Sequence, residues 1–195
     1  MRTERDAEDR ITEPWLGFLK AVNAGLDRPI ELHCLGGFAV LGAGVDARQT
    51  GDINIVDAVP ADGLQSLLAL AGSRSELFQG HRLYIEHVGV TVPPCDYRDR
   101  LIDITPRQLN RLVVKVLDPN DVILTKLARH WERDREDTRL LVARGLVAPE
   151  VLEHRFEQEL EPFLTERDAK RARLTLDLWL EEFFPNHEPR QRPGN

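Results

Sequence analysis

The segment "GDINIVDAV", from Gly51 to Val59, constrains the fold of this chain more than any other stretch. Asp52 and Asn54 alternate with Ile53 and Ile55, and on a strand side chains two apart project to the same side. The spacing predicts a strand with its isoleucines in a core and its oxygen-bearing side chains together on the other face. Two such side chains can grip hard cations of the magnesium type, which leave further coordination positions for phosphates or waters. Asp at both positions would supply the carboxylates of a two-metal displacement on phosphorus.

Upstream, "IELHCLGG" predicts a buried strand stopped by Gly36 and Gly37, and "FAVLGAG" a short helix starting straight after them. Free backbone N–H groups at such a helix start can meet phosphate. The glycines do not have the G-x-G-x-x-G spacing, which excludes a dinucleotide fingerprint.

Around this centre, "ITEPWLGFLKAVNAGL" predicts a helix with Thr12 as cap, Pro14 in its first turn and Gly25 at its end. Trp15, Phe18, Leu19 and Val22 repeat on it at helical spacing. Asp62 is expected to cap a helix through "GLQSLLALAG". "HRLYIEHVGVTV", "RLIDITP" and "LVVKVLDP" read as three more strands, the first ended by Pro93-Pro94. Asp118-Pro119 opens a helix with Ile123, Leu124, Leu127 and Trp131 along one side, continued by it or a following helix to about Ala143. From Pro149 the pattern is helical and strand-free, with Thr165 a cap. The expectation is an α+β mixed sheet with helices over residues 1–144, a helical lobe over 145–185 and a mobile tail over 186–195.

A formal charge of −7 argues against a general nucleic-acid coat. No apolar run approaches the roughly 20 residues of a membrane span, and "MRTERDAEDR" lacks the apolar core of a signal peptide. Cys34 and Cys95 lie far apart without metal-ligand spacing, which suggests packed thiols in a reducing, cytoplasmic setting.

Gly-Gly, about a dozen residues, then Asp-hydrophobic-Asp is the pattern that "GGFAV…ARQTGDINIVD" resembles. It is the signature of the nucleotidyltransferase superfamily with the polymerase-beta-like fold. The chain looks most like the small prokaryotic abortive-infection and toxin–antitoxin members. "LDPNDVILTKLARHWERDREDTRLL" also resembles their later segment, and the likeness covers roughly residues 30–144. It implies that Gly36 and Gly37 form the nucleotide-phosphate turn, with Arg48 and Thr50 in the polar turn before the acids. Asp52 matches the first metal-binding acid, and Asn54 occupies the place of the second. The third acid is Glu86, or failing that Asp103. Lys126 matches a basic residue facing the triphosphate, and Asp134 and Asp137 match downstream acids with a structural or substrate-positioning role.

The implied chemistry is transfer of a nucleoside monophosphate from a nucleoside triphosphate to a protein, tRNA or small-molecule hydroxyl. Mg2+ or Mn2+ is the implied cofactor, a cognate toxin–antitoxin partner is expected, and no membrane is involved. Asn54 is the departure: a neutral amide replaces a carboxylate, removing one charge and one strong metal bond. It fits either an inactivating substitution or drift toward a non-catalytic, antitoxin-like binding protein.

Overall fold

The alternation at Ile53 and Ile55 is realised as a strand, β2 (Asp52–Val59). In this computed structural model, which describes residues 10–45, 50–128 and 132–187, the chain forms two units. The first comprises Met1–Thr91 with Tyr97–Asp118, and the second Val92–Asp96 with Pro119–Asn195.

The first unit holds a five-stranded mixed sheet among its described residues. Its strands are β1 (Ile30–Leu35), β2, β3 (Tyr84–His87), β4 (Ile102–Asp103) and β5 (Leu112–Val116), in the order β3-β2-β1-β5-β4. β1 runs antiparallel to β2 and parallel to β5; β2 and β3 are parallel. Helices α1 (Trp15–Gly25), α2 (Gly36–Gly42) and α3 (Leu64–Ala71) pack against the strands. Leu32, Cys34, Ile53, Ile55, Val114 and Val116 are fully buried. Each isoleucine so buried contributes about 2 kcal/mol, so a one-residue slip of β2 is strongly opposed. Gly42 lets α2 lie close to the sheet, since a Cβ there would come within 3.0 Å of Val116.

A register shift between His33 and Cys34 marks a bulge. Leu35 pairs with Asn54 and Cys34 with Ile55, but His33 pairs with Asp57, which leaves Val56 as the extra residue. Strict alternation would set Asp57 on the isoleucine side. The bulge returns it to the face that carries Asp52 and Asn54.

Several local expectations are corrected. Thr12 does not cap α1 with its side chain; the Glu13 carboxylate accepts the Gly17 N–H instead, at 3.0 Å. Asp62 does not cap α3, because its carboxylate is held by Arg28 at 2.8 Å. A helix was missed before β3: Ser75 caps α4 (Glu76–His81) by accepting the Phe78 N–H. Six residues give too little periodicity to register as a helix, and β3 is shorter than expected as a result.

The second unit is helical among its described residues: α5 (Pro119–Leu124), α6 (Glu132–Ala143), α7 (Pro149–Arg155) and α8 (Glu166–Phe183). Ile123, Leu124 and Leu127 are buried as expected, but α5 stops early. The Thr125 hydroxyl donates to the Val122 carbonyl at 2.7 Å, and the Lys126 N–H turns to Ile123. A side chain that takes a backbone acceptor competes with the helix ladder, and here it coincides with the end of α5. Thr165 caps α8 as its sequence predicts, accepting the Asp168 N–H at 3.2 Å. Trp131, Arg48 and the last eight residues of the tail lie outside the described residues. No helix among the described residues is long and apolar enough to cross a membrane.

Candidate functional site

The polar face of β2 gathers its side chains at the end where β1 turns into α2. Asp52 is half-buried, and its carboxylate accepts two hydrogen bonds: the Thr50 hydroxyl to Oδ1 at 2.5 Å and the Asn54 amide to Oδ2 at 2.9 Å. The Asn54 Nδ2–H is thus spent on the neighbouring acid. A carboxylate at position 54 would place two negative oxygens at this contact and require a cation or proton between them.

Gly36 stands at φ +69, a left-handed conformation that side chains resist, and a Cβ on it would reach 3.5 Å from Asn54 Nδ2. A Cβ on Gly37 would meet Thr50 at 3.4 Å. The glycine corner, Thr50, Asp52 and Asn54 therefore form one polar patch. The N-cap residue, Leu35, offers no side-chain acceptor to α2, and the first N–H groups of a helix have no intrahelical partner.

Of the two proposed third acids, the sheet brings one to this place. Glu86 is the register partner of Asn54 across the parallel β2–β3 pair, and Tyr84 is the partner of Asp52. Burial pushes the Tyr84 phenol up, and the charges of Asp52 and Glu86 push it further. Both carboxylates therefore act on one ring. Asp103 lies on β4, separated from β2 by β1 and β5, about 14 Å away at ordinary strand spacing. Its carboxylate accepts the Thr105 N–H at 2.8 Å.

Lys126 belongs to the second unit. It is 2% exposed, and its ammonium donates to Asp134 at 2.9 Å and Asp137 at 2.7 Å. All three are buried. The ammonium is committed to two carboxylates of its own unit, so the three downstream residues form one cluster.

His33 is not among the site residues expected from the sequence. It is buried on β1, with Nε2 hydrogen-bonded to Glu31 at 2.8 Å and Nδ1 to the Tyr97 hydroxyl at 3.0 Å. Lys115 on β5 pairs with the other Glu31 oxygen at 2.8 Å. Arg98 joins Tyr97 to Asp57. Burial raises the Glu31 carboxyl, but the hydrogen bonds and charges of Lys115 and His33 outweigh it and hold it below its ordinary value. The available signal was the shared polar parity of Glu31, His33 and Lys115; Tyr97 is too distant in sequence to foresee. In the second unit, Cys95, Asp96 and Glu159 also approach one another, with potential ligand atoms within 4.8 Å. Desolvation and the two neighbouring carboxylates raise the Cys95 thiol.

Residues 19–183 match the family described as a nucleotidyltransferase of unknown function (DUF6036). No curated protein and no solved structure matches the chain.

Proposed function

Because the chain belongs to this family of nucleotidyltransferases of unknown function, we propose that it moves a nucleoside monophosphate from a nucleoside triphosphate to an acceptor hydroxyl. The observation that supports this is the meeting of Asp52, Asn54 and Glu86 on one sheet face, beside a glycine corner that opens a helix.

The donor set suits Mg2+ or Mn2+: two carboxylates and an amide, all oxygen, one charge short of a triad of acids. Asp52 and Glu86 would hold the cation, and Asn54 would join them once its amide turned its oxygen inward. Bound there, the cation supplies positive charge against the α-phosphate and the departing pyrophosphate.

The chain's own residues do the remaining work. Gly36 and Gly37 keep the corner clear so that phosphate oxygens can reach backbone N–H groups. Thr50 fixes the Asp52 carboxylate from behind. Arg48, two residues before Thr50 in sequence, would add positive charge toward the phosphates. The acceptor oxygen attacks the α-phosphorus in line with the leaving group: one P–O bond forms, the bond to pyrophosphate breaks, and the hydroxyl proton passes to a carboxylate of the same face. A protein side chain, a tRNA 3′ end and a small molecule are the candidate acceptors, in a toxin–antitoxin setting with a cognate partner.

A second reading keeps the pocket without the chemistry. The Asn54–Asp52 hydrogen bond favours it, because it satisfies the first acid with no cation present. Incubation with nucleoside triphosphates labelled at the α-phosphate, magnesium, and total tRNA or lysate separates the two. Asn54→Asp is expected to transfer label at least about tenfold faster than the wild type, a barrier lower by ~1.4 kcal/mol, and Asp52→Asn to transfer none. Nucleotide binding without transfer in any form supports the second reading. Neither binding nor transfer in any form overturns both.

A further inference from the structure

The buried side of α8 carries Ala172, Thr175, Leu176, Trp179 and Leu180. Its opposite side carries two exposed leucines: Leu174 is 62% exposed and Leu178 47%. They stand four residues apart, one above the other on the helix surface. Around them the charges are sorted by sign. Arg167, Lys170 and Arg171 lie on the N-terminal side of the pair, and Glu181 and Glu182 on the C-terminal side, all exposed.

The sorting on this face opposes the helix dipole, which favours acids at the N-terminus and bases at the C-terminus. Within α8 the bases also have local acids, Lys170 pairing with Glu166 and, after the Thr165 hydrogen bond, the charge of Arg171 helping to lower the Asp168 carboxyl. Among the described residues neither Arg171 nor Glu181 has an ion-pair partner. The pattern is self-complementary, however. Turned through a two-fold axis level with Leu176, the face presents its acids to its own bases and its leucines to its own leucines.

We propose that this face of α8 is a homodimer interface, in which a second copy of the chain packs antiparallel across the two-fold. Leu174 meets the partner's Leu178, Arg171 meets the partner's Glu181, and Lys170 meets the partner's Glu182, each contact occurring twice as an isologous interface requires. A parallel pairing would set Arg171 on Arg171 and Glu181 on Glu181, so the charges select one direction. Lys170 and Glu182 have partners within the chain, Glu166 and Arg135. Arg171 and Glu181 are therefore the pair that decides the orientation. With two leucines per copy the contact falls at the small end of specific interfaces, so the dimer is weak and concentration-dependent. The proposal is independent of the catalytic reading.

Sedimentation equilibrium of the full chain in low salt, over about 1 to 300 μM, spans the affinities such an interface reaches. The mass is expected to rise from 22.2 kDa toward twice that value. Leu174→Asp with Leu178→Asp should hold it at the monomer value with an unchanged circular dichroism spectrum, since both positions are exposed. Arg171→Glu and Glu181→Arg should each weaken association about tenfold or more, and the double reversal Arg171→Glu/Glu181→Arg should restore it. A monomer throughout the range overturns the proposal, including one that binds only another protein through this face. So does an assembly indifferent to the leucine pair, or a double reversal no better than the single changes.

Discussion

The open face of β2 and the buried cluster around Lys126 are both built from acids and their donors, yet they are satisfied in opposite ways. On β2, Asp52 takes two neutral donors, and exposed Glu86 stands on the adjacent strand, so charge is left for an incoming group. At Lys126 an ammonium and two carboxylates are closed off from solvent, and the ammonium pairs with one oxygen of each acid. A buried ion pair is costly to break, whereas a half-open carboxylate costs little to exchange from one partner to another. The contrast supports the proposal that recognition belongs to the first place and architecture to the second.

The largest effect is expected at the closed cluster. Lys126→Met leaves two carboxylates buried without their cation and should cost about 3–5 kcal/mol in denaturant unfolding. If it costs under about 1 kcal/mol and abolishes nucleotide binding instead, the contrast breaks and Lys126 belongs to the site.

Asn54→Asp sharpens the comparison from the other side. In chelator it exchanges a hydrogen bond for two facing carboxylates and should lose about 1–2 kcal/mol of stability. Millimolar Mg2+ or Mn2+ should recover that loss, read as a rise in melting temperature absent from the wild type. A loss that no divalent ion recovers would mean that the face does not hold cations. Thr50→Val removes only a neutral donor from Asp52, and calorimetry should show about 1 kcal/mol or less.

The smallest effect concerns Glu31. Its folded carboxyl lies below its ordinary value, so the stabilisation is complete at neutral pH and is lost as pH falls through the folded value. Lys115→Met removes one of the causes. Its acid unfolding should begin at higher pH than the wild type's, with a difference of a few tenths of a kcal/mol at neutral pH.

Much of the sheet was legible because its cues are local. Isoleucines at alternate positions fix which side of β2 is buried, and Gly36-Gly37 fixes where β1 stops. The bulge at Val56 was not legible, because it exists only in the pairing of β1 with β2, and so the side on which Asp57 lies was hidden as well. Choosing between Glu86 and Asp103 likewise needs the strand order. The early end of α5 coincides with one hydroxyl taking a backbone carbonyl, which an apolar stripe does not reveal. The resemblance to nucleotidyltransferases rested on the spacing from the glycines to Asp52, and the family match over residues 19–183 agrees with it.

Manganese binding followed by electron paramagnetic resonance, with a nonhydrolysable triphosphate present, tests the central claim most directly. The account predicts weak binding by the wild type, binding at least about tenfold tighter by Asn54→Asp, a gain of ~1.4 kcal/mol, and loss in Asp52→Asn and Glu86→Gln. Equal binding in all four proteins would contradict it.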